Sequence, residues 1–154
     1  MFRRAYIGGT FDLLHRGHLA LFDGAKQIAN EVVVSVNRDD FAARFKRPPV
    51  MTLEERFDLL RAVRSVDVVI VNSGDENSGI AIERASADVI VHGDDWTGDG
   101  YLRQLGVTQA WLDCRRIAMR YLPYTKGVSS SELLRRIDAS MSGLRDRERQ
   151  KRSA

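Results

Sequence analysis

The sequence predicts an α/β protein with a doubly wound parallel sheet of about five strands in a single domain. Short apolar strands alternate along the chain with segments of helical periodicity, which is the pattern of a parallel sheet whose crossovers are helices. Residues 31–36 read E-V-V-V-S-V, a β-branched run typical of a central strand buried on both faces. The 154 residues match the size of one domain and suffice to bury a sizeable core.

Local signals place the elements in order. Apolar residues recur with helical spacing at Leu21, Phe22 and Ala25, and Thr52 with Glu55 forms a capping box that begins a helix. Strands are expected at about residues 4–8, 31–36, 66–71, 89–91 and 116–122. Helices are expected at about residues 17–29, 41–45, 53–63, 80–85, 101–105, 108–114 and 129–141. In such a Rossmann-like sheet, ligands bind beyond the carboxyl ends of the strands, where the strand order reverses.

Charge divides the chain into a neutral body and a basic end. Residues 144–154 contain five basic and two acidic residues, which account for the whole net charge of +3. We therefore expect one domain over residues 1–143, followed by a charged, disordered and solvated tail over residues 144–154. A neutral body argues against a nucleic-acid-binding domain, because such a domain would carry a basic face on the fold itself.

The remaining composition indicates a cytoplasmic protein. No apolar run approaches the roughly 20 residues that a membrane span needs, and we expect no secretory leader because the chain passes at once into a short strand. Cys114 is the single cysteine, so an intrachain disulfide is impossible and a reducing compartment fits. The sequence has no spaced cluster of cysteines and histidines, so no protein-bound metal is expected.

The stretch from Gly8 to His18 is the strongest chemical signal in the chain. It reads G-G-T-F-D-L-L-H-R-G-H and joins the first strand to the first helix. Backbone N–H groups and the positive end of the helix dipole converge at such a turn, which suits a phosphate group. The glycines permit close approach of a ligand, and His15 and His18 project from one face of the helix. The stretch predicts an anion site at which two imidazoles stabilise charge on a phosphate.

This stretch closely resembles the G-T-F-D-x-x-H-x-G-H signature of the cytidylyltransferase-like nucleotidyltransferases. Residues 92–96, H-G-D-D-W, resemble the G-D-D-W segment of glycerol-3-phosphate cytidylyltransferases. Residues 121–131, Y-L-P-Y-T-K-G-V-S-S-S, resemble the family's R-T-x-G-I/V-S-S/T-S/T segment. The chain departs from the family at three places. Tyr124 stands where arginine is usual, and loop 72–79 lacks the family's basic residue. His92 has an apolar counterpart in the family, and we interpret it as structural.

The resemblance implies which residues bind substrates. The candidates for nucleotide binding lie in the three motifs, and they are Gly9, Thr10, Phe11, His15, His18, Gly93, Asp95, Thr125, Gly127, Ser129, Ser130 and Ser131. His15, His18 and Lys46 are the expected catalytic residues, since they would stabilise charge on the phosphates. Arg56 and Lys46 are expected to bind the acceptor phosphate. Asp95 suits cytosine, because a carboxylate accepts a hydrogen bond from the cytosine amino group.

We therefore expect an enzyme that transfers CMP from CTP to a phosphorylated small molecule, with glycerol 3-phosphate as the acceptor. Mg²⁺ would arrive with the nucleotide, and the resemblance implies a homodimer that acts without nucleic acid or membrane. The same chemistry with another substrate stays open. The alternative acceptors of CMP are phosphoethanolamine, phosphocholine and a sugar phosphate, and a further alternative is transfer of AMP from ATP to FMN. A nucleotide-binding regulator without catalysis is the alternative of a different class.

Overall fold

Five parallel strands form the centre of the structure, a computed structural model that describes residues 1–45, 47–73, 77–95 and 99–152. The strands are β1 (Phe2–Gly9), β2 (Ala29–Asn37), β3 (Val68–Asn72), β4 (Val89–Gly93) and β5 (Ala118–Leu122). The helices of the described residues are α1 (Arg16–Ile28), α2 (Asp39–Phe45), α3 (Leu53–Arg61), α4 (Gly79–Ala85), α5 (Asp99–Leu105), α6 (Gln109–Arg115) and α7 (Ser130–Arg152). The predicted parallel α/β fold is confirmed.

Alternate residues of the strands pack into two separate cores. Tyr6 and Ile90 belong to the core that the sheet forms with α4, α5 and α6. Ile7 and Val91 belong to the core on the opposite face, which α1 and α3 cover. Successive side chains of a strand point to opposite faces, so a sheet between two helical layers buries both sets. This explains the continuous apolar run of β2.

The strand order, β3-β2-β1-β4-β5, reverses at β1. β1 pairs with β2 along one side and with β4 along the other, and both pairings are parallel. The helices that follow β1 and β4 therefore lie on opposite faces of the sheet. A crevice opens between them at the carboxyl ends of the strands, which is where this class of fold binds its ligands.

Most elements have an end that differs from the sequence expectation by one or two residues, and the end of α7 differs by eleven. β5 begins at Ala118, because Arg116 adopts a left-handed φ of 56° and ends α6. α7 continues to Arg152 although the sequence suggested an end near residue 141, since a glycine such as Gly143 costs a helix interior only about 1 kcal/mol relative to alanine. Neither α7 nor any other described helix is both long and apolar enough to span a bilayer. The division of the chain at residue 143 stays a prediction.

Candidate active site

A cavity of about 660 Å³ opens at the carboxyl ends of β1 and β4, and all three sequence motifs line it. The predicted nucleotide-binding residues in its wall are Gly9, Thr10, Phe11, His15, His18, Gly93, Asp95, Thr125, Ser129, Ser130 and Ser131. Of the other predicted site residues, Gly127 and Arg56 are not part of the wall, and Lys46 falls outside the described residues. The fold therefore brings residues from the two ends of the chain to one place.

The turn between β1 and α1 is held in an unusual backbone conformation. Phe11 and Leu13 have φ angles of 54° and 51°, in the left-handed region that bulky residues rarely adopt. Each such residue costs of order 1–3 kcal/mol and persists only where its surroundings enforce it. The Phe11 ring packs edge-on against His18, with 5.4 Å between ring centroids, and a Cβ at Gly9 would lie 2.8 Å from the same ring. Packing therefore shapes this turn, and it requires glycine at position 9.

His15 and His18 cap the start of α1 with their own rings. Nδ1 of His15 accepts a hydrogen bond from the Gly17 amide at 3.1 Å, and Nδ1 of His18 accepts one from the His15 amide at 3.3 Å. A ring nitrogen that accepts carries no proton, so each neutral imidazole holds its proton on Nε2. The rings stack with centroids 3.8 Å apart and planes 17° apart. The start of α1 thus holds two oriented Nε2–H groups at the turn that follows β1.

The neutral form of His15 is favoured by its surroundings. Burial lowers the pKa of His15 below its ordinary value of 6.5, and a hydrogen bond to its own backbone offsets part of this effect. The neutral ring is also the form that the cap needs, because a protonated imidazole has no acceptor nitrogen. Above its lowered pKa, His15 therefore acts as a hydrogen-bond donor through Nε2 and as a cap through Nδ1.

We expect the protein to lose stability as the pH falls below about 6.5, the ordinary histidine pKa. Because the pKa of His15 is lowered on folding, the unfolded chain takes up the proton first, and the stabilisation is lost as the pH falls through the folded-state pKa. Urea unfolding of wild type and of His15→Asn between about pH 5 and pH 8 measures this effect. Asn keeps an acceptor but does not titrate, so equal pH dependence in both proteins would contradict the assignment.

The loop before α7 forms another wall of the cavity. Oγ of Ser129 accepts a hydrogen bond from the Glu132 amide at 3.1 Å, which caps α7. Oγ of Ser130 donates to the carbonyl of Asp12 at 2.8 Å and thereby joins this loop to the first motif. Gly127 has a φ of 75°, and a Cβ there would meet nothing within 4 Å, so it serves the turn through its conformation. The positive end of the α7 dipole thus faces the same cavity as that of α1.

Tyr124 stands where the family motif has arginine, and it ties the loop down. Its amide donates to Oδ1 of Asp94 at 2.8 Å, and its hydroxyl donates to the carbonyl of Val128 at 3.0 Å. The ring also lines the cavity. The family's cation is therefore replaced by a fixed aromatic surface.

The segment after β4 brings a carboxylate and a third imidazole to the cavity. A Cβ at Gly93 would lie 2.6 Å from Oδ1 of Asp95, so this carboxylate approaches the end of β4 closely. His92 was interpreted from the sequence as structural, and the structure places it in the cavity wall as well. Its Nδ1 lies 2.8 Å from the Gly93 carbonyl, and its ring lies 3.8 Å from the Tyr101 ring, centroid to centroid. Trp96 falls outside the described residues.

The structure corrects the role expected for Arg56. This residue is 1% exposed, and its guanidinium donates to the carbonyls of Thr10 at 2.6 Å, Asn37 at 2.9 Å and Met51 at 3.2 Å. It also forms an ion pair with Asp39. Its donors are used within the protein, so Arg56 braces the cavity from beneath and does not reach an acceptor phosphate.

Arg47 is the one lysine or arginine among the described residues of the cavity wall. It forms an ion pair of 2.8 Å with Asp12, whose carboxylate also accepts from the amides of Val50 and Met51, each at 3.0 Å. Burial by itself raises the pKa of Asp12, but these hydrogen bonds and the Arg47 charge outweigh it and hold the pKa below its ordinary value. Asp12 thus anchors the loop that carries Arg47, a role that its place in T-F-D did not reveal.

Two neutral side chains complete the wall on the side of α4 and α5, namely Asn37 and Gln104. Oδ1 of Asn37 accepts from Asn72 at 3.0 Å, so Nδ2 is the donor that Asn37 offers to a ligand. Asn72 donates in turn to Ser78 at 3.0 Å, which links the wall to the start of α4. Sequence reasoning missed Asn37 and Gln104 because a lone amide at an element end resembles any turn or helix surface.

A family described as cytidylyltransferase-like matches residues 6–136 of the chain. The chain belongs to this family. It is therefore a cytidylyltransferase-like nucleotidyltransferase, and its fold and motifs are those of a protein that binds a nucleotide and a phosphorylated substrate. The resemblance predicted from the three motifs is confirmed.

Relatives within the family carry different names. The chain is 33% identical to the FAD synthase of Pyrococcus abyssi, over 87% of this chain and 91% of that protein. It is 34% identical to the glycerol-3-phosphate cytidylyltransferase of Bacillus subtilis, over 81% of this chain and 89% of that protein. A lipopolysaccharide core biosynthesis protein from Thermoplasma volcanium superposes with a TM-score of 0.61 at 26% identity, covering 81% of this chain and 100% of that chain.

Proposed function

We propose that the protein transfers CMP from CTP to glycerol 3-phosphate and releases CDP-glycerol and pyrophosphate. The observation that carries the proposal is the pair of Nε2–H donors at the start of α1, which share one cavity with Asp95 and with the serines at the start of α7. The imidazoles and serines are assigned to the triphosphate, and Asp95 is assigned to the base. With these assignments, one nucleotide in the cavity would contact both groups of residues.

In the proposed reaction, an oxygen of the acceptor phosphate attacks the α-phosphorus of CTP in line with the leaving pyrophosphate. The bond from the α-phosphorus to the bridging oxygen breaks, and its electron pair leaves with pyrophosphate. His15 and His18 donate through Nε2–H to phosphate oxygens on which charge builds. The acceptor phosphate is already ionised at neutral pH, so the reaction needs no general base and no covalent intermediate, and positioning supplies much of the rate.

The acceptor is assigned to the side of the cavity that Arg47 and Asn37 line. Arg47 is 38% exposed and keeps donors beyond its ion pair with Asp12, so it is proposed to bind the acceptor phosphate. Lys46 precedes it in the chain and is proposed to neutralise the phosphates. Asn37 and Gln104 offer neutral donors and acceptors, which suit the hydroxyl groups of glycerol. Arg56 is proposed to position this wall through the carbonyls that it binds.

Mg²⁺ is proposed to arrive bound to CTP, where it neutralises phosphate charge. The described residues contain no group of three His, Cys, Asp or Glu side chains that could hold a metal ion. The Asp12 carboxylate is occupied by Arg47 and by two backbone amides. Mg²⁺ keeps several waters and is commonly held by substrate phosphates with few protein ligands. The residues present therefore fit a nucleotide-borne ion better than a resident one.

We further propose that the enzyme works in the cytoplasm as a homodimer. CTP is a cytoplasmic nucleotide, and the exposed thiol of Cys114 stays reduced in such a compartment. The homodimer is implied by the family resemblance.

Adenylyl transfer to FMN is the second candidate, and the likeness to the FAD synthase of Pyrococcus abyssi favours it. FAD consists of FMN and AMP joined through a pyrophosphate, so the same in-line chemistry with ATP and FMN would form it. The H-G-D-D-W segment favours the first candidate, because it resembles the corresponding segment of glycerol-3-phosphate cytidylyltransferases.

Release of pyrophosphate separates these functions. CTP, UTP, ATP and GTP are each supplied with glycerol 3-phosphate, phosphoethanolamine, phosphocholine, a sugar phosphate or FMN, with and without Mg²⁺. We expect release with CTP and glycerol 3-phosphate in the presence of Mg²⁺. Release with ATP and FMN instead would move the assignment to the second candidate. Nucleotide binding without release for any pair would contradict catalysis and favour the regulator.

Replacing Asp95 by alanine is expected to narrow the preference for CTP over ATP. A hydrogen bond to a charged group contributes about 1.5–3 kcal/mol, so kcat/KM for CTP should fall roughly 10- to 150-fold. The rate with ATP should barely change, because the groups assigned to the phosphates stay in place. Asp94→Ala is the matched control, since Asp94 binds the Tyr124 amide and should affect both nucleotides equally. An unchanged CTP:ATP ratio in Asp95→Ala would place base recognition elsewhere.

A further inference from the structure

Tyr124 brings an exposed aromatic ring to the cavity. The residue is 40% exposed, whereas Phe11, the other benzene ring in the described cavity wall, is 6% exposed. The imidazoles of His15 and His18 stack on each other, and the His92 ring packs against a tyrosine of α5. Among the residues that the structure describes, no aromatic ring packs on Tyr124. Its ring therefore offers an uncovered aromatic face to a ligand.

Three hydrogen bonds hold Tyr124 in place. The Asp94 amide donates to the carbonyl of Leu122 at 2.9 Å, which ties the loop after β5 to the end of β4. The Tyr124 amide donates to the Asp94 carboxylate at 2.8 Å, and the Tyr124 hydroxyl donates to the Val128 carbonyl at 3.0 Å. Because the backbone and the tip of the side chain are both tied, the ring loses little further freedom when a ligand binds to it.

The ring lies beside the carboxylate that is assigned to the base. A Cβ placed on Gly93 would lie 2.6 Å from Oδ1 of Asp95 and 3.7 Å from Cδ2 of Tyr124. The carboxylate oxygen and the edge of the ring are therefore separated by at most the sum of these two distances. A base whose amino group binds Asp95 thus lies next to the Tyr124 ring.

The charge of the cavity explains what such a ring would contribute. Arg47 is the one lysine or arginine among the described residues of the wall, and it is paired with Asp12. Tyr124 stands where the family motif has arginine, so this chain has one cation fewer in the loop before α7. Stacking of a base on an aromatic ring adds affinity without any charge. The ring can therefore supply binding energy that this wall does not obtain from cations.

We propose that the base of the bound nucleotide stacks on the ring of Tyr124 while its amino edge binds Asp95. The inference rests on the proposed function, which assigns the base to Asp95. The two side chains have different tasks. Stacking tolerates any base, so Tyr124 determines how tightly the nucleotide binds, whereas the hydrogen bond to Asp95 determines which base is preferred.

Calorimetric binding of CTP, CMP, AMP and inorganic tripolyphosphate in the presence of Mg²⁺ tests the proposal. We expect Tyr124→Ala to bind CTP and CMP roughly 10- to 100-fold more weakly than wild type, and tripolyphosphate within about twofold of wild type. The preference for CMP over AMP should stay the same, because Asp95 is intact. A wild type that binds tripolyphosphate as tightly as CTP, or an alanine variant that binds CMP as tightly as wild type, would overturn the proposal.

Two matched variants separate stacking from the structural role of the side chain. Tyr124→Phe loses the hydrogen bond to Val128 but keeps the ring, and we expect it to bind CMP within about threefold of wild type. Tyr124→Leu keeps apolar bulk without an aromatic face and should bind CMP nearly as weakly as Tyr124→Ala. A phenylalanine variant as weak as the alanine variant would mean that only the hydrogen bond matters. Equal binding by the leucine and phenylalanine variants would mean that no stacking occurs. Either result would overturn the proposal.

The two monophosphates distinguish failure of this inference from failure of the proposed function. A wild type that prefers AMP to CMP would contradict CTP as the donor. Stacking is then judged on AMP, whose binding should fall by the same roughly 10- to 100-fold in Tyr124→Ala and recover in Tyr124→Phe. An alanine variant that changes the preference between the two bases without weakening both would overturn the proposal, since stacking acts on every base.

Discussion

Replacing His18 by alanine is expected to lower kcat by ~10²–10³ while CTP still binds within about tenfold of wild type. The Nε2–H of His18 is oriented by the hydrogen bond that Nδ1 accepts from the His15 amide, so it donates without reorganisation when charge builds on the phosphates. Such a donor stabilises the transition state more than the bound nucleotide. Single-turnover kinetics with CTP, together with calorimetric binding of CTP, measures the two quantities separately.

Two further variants of His18 separate its role as a helix cap from its role as a hydrogen-bond donor. In His18→Asn the amide oxygen takes the place of Nδ1, so the cap is retained and the Nε2–H donor is lost. In His18→Gln an N–H group reaches the place of Nε2. We expect the Asn variant to be as slow as the alanine variant with a near-wild-type melting temperature, and the Gln variant to recover part of kcat. An alanine or Asn variant with near-wild-type turnover would refute the catalytic assignment.

The three motifs were predictable because local physical constraints determine them. The turn after β1 needs glycine at position 9, since a Cβ would lie 2.8 Å from the Phe11 ring. At Gly93 a Cβ would meet only the end of the exposed Asp95 side chain, so glycine is less strictly needed there. Phosphate-binding turns at helix starts select small residues, hydroxyls and imidazoles within a few positions of one another. A short stretch of sequence therefore contains most of the information about such a turn.

The roles of Arg56 and Asp12 could not be predicted, because their partners are distant in sequence. An arginine at the start of an amphipathic helix reads as exposed, yet Arg56 binds carbonyls of Thr10 and Asn37, 46 and 19 residues away. Asp12 likewise meets amides 38 and 39 residues away. Burial of a charged side chain depends on the carbonyls and amides that the fold collects around it. The sequence shows that Arg56 and Asp12 are charged, but it does not show which carbonyls and amides the fold brings to them.

The extent of α7 illustrates a different limit. Its last residues are polar and strongly charged, a composition that suggested a solvated tail, yet arginine, glutamate and glutamine are good helix formers. Apolar residues at helical spacing, namely Leu134, Ile137, Met141 and Leu144, continue across the boundary that charge alone had placed at residue 143. Charge thus predicts a boundary at residue 143, whereas the periodicity of the apolar residues predicts a helix that continues past it. The structure has the continuous helix.

Replacing Arg56 by methionine is expected to lower the free energy of unfolding by roughly 3–5 kcal/mol. Each of the three carbonyls that Arg56 binds would lose its donor in a buried place, at a cost of about 1–3 kcal/mol apiece before relaxation. For a chain of this size the melting temperature should fall by roughly 10 °C. Urea denaturation and thermal unfolding measure the loss, and KM for both substrates should rise together because the carbonyls frame both sides of the cavity.

Arg61→Met is the matched control, because Arg61 lies exposed at the end of the same helix and should cost at most about 0.5 kcal/mol. Arg56→Lys keeps the charge but lacks the planar set of donors that reaches three carbonyls, so we expect it to recover little stability. An acceptor-binding arginine would behave differently. Its replacement by methionine would raise KM for the acceptor alone at an unchanged melting temperature, and lysine would restore much of the binding. That outcome would support the acceptor-binding role expected from the sequence and would contradict a structural role for Arg56 beneath the cavity.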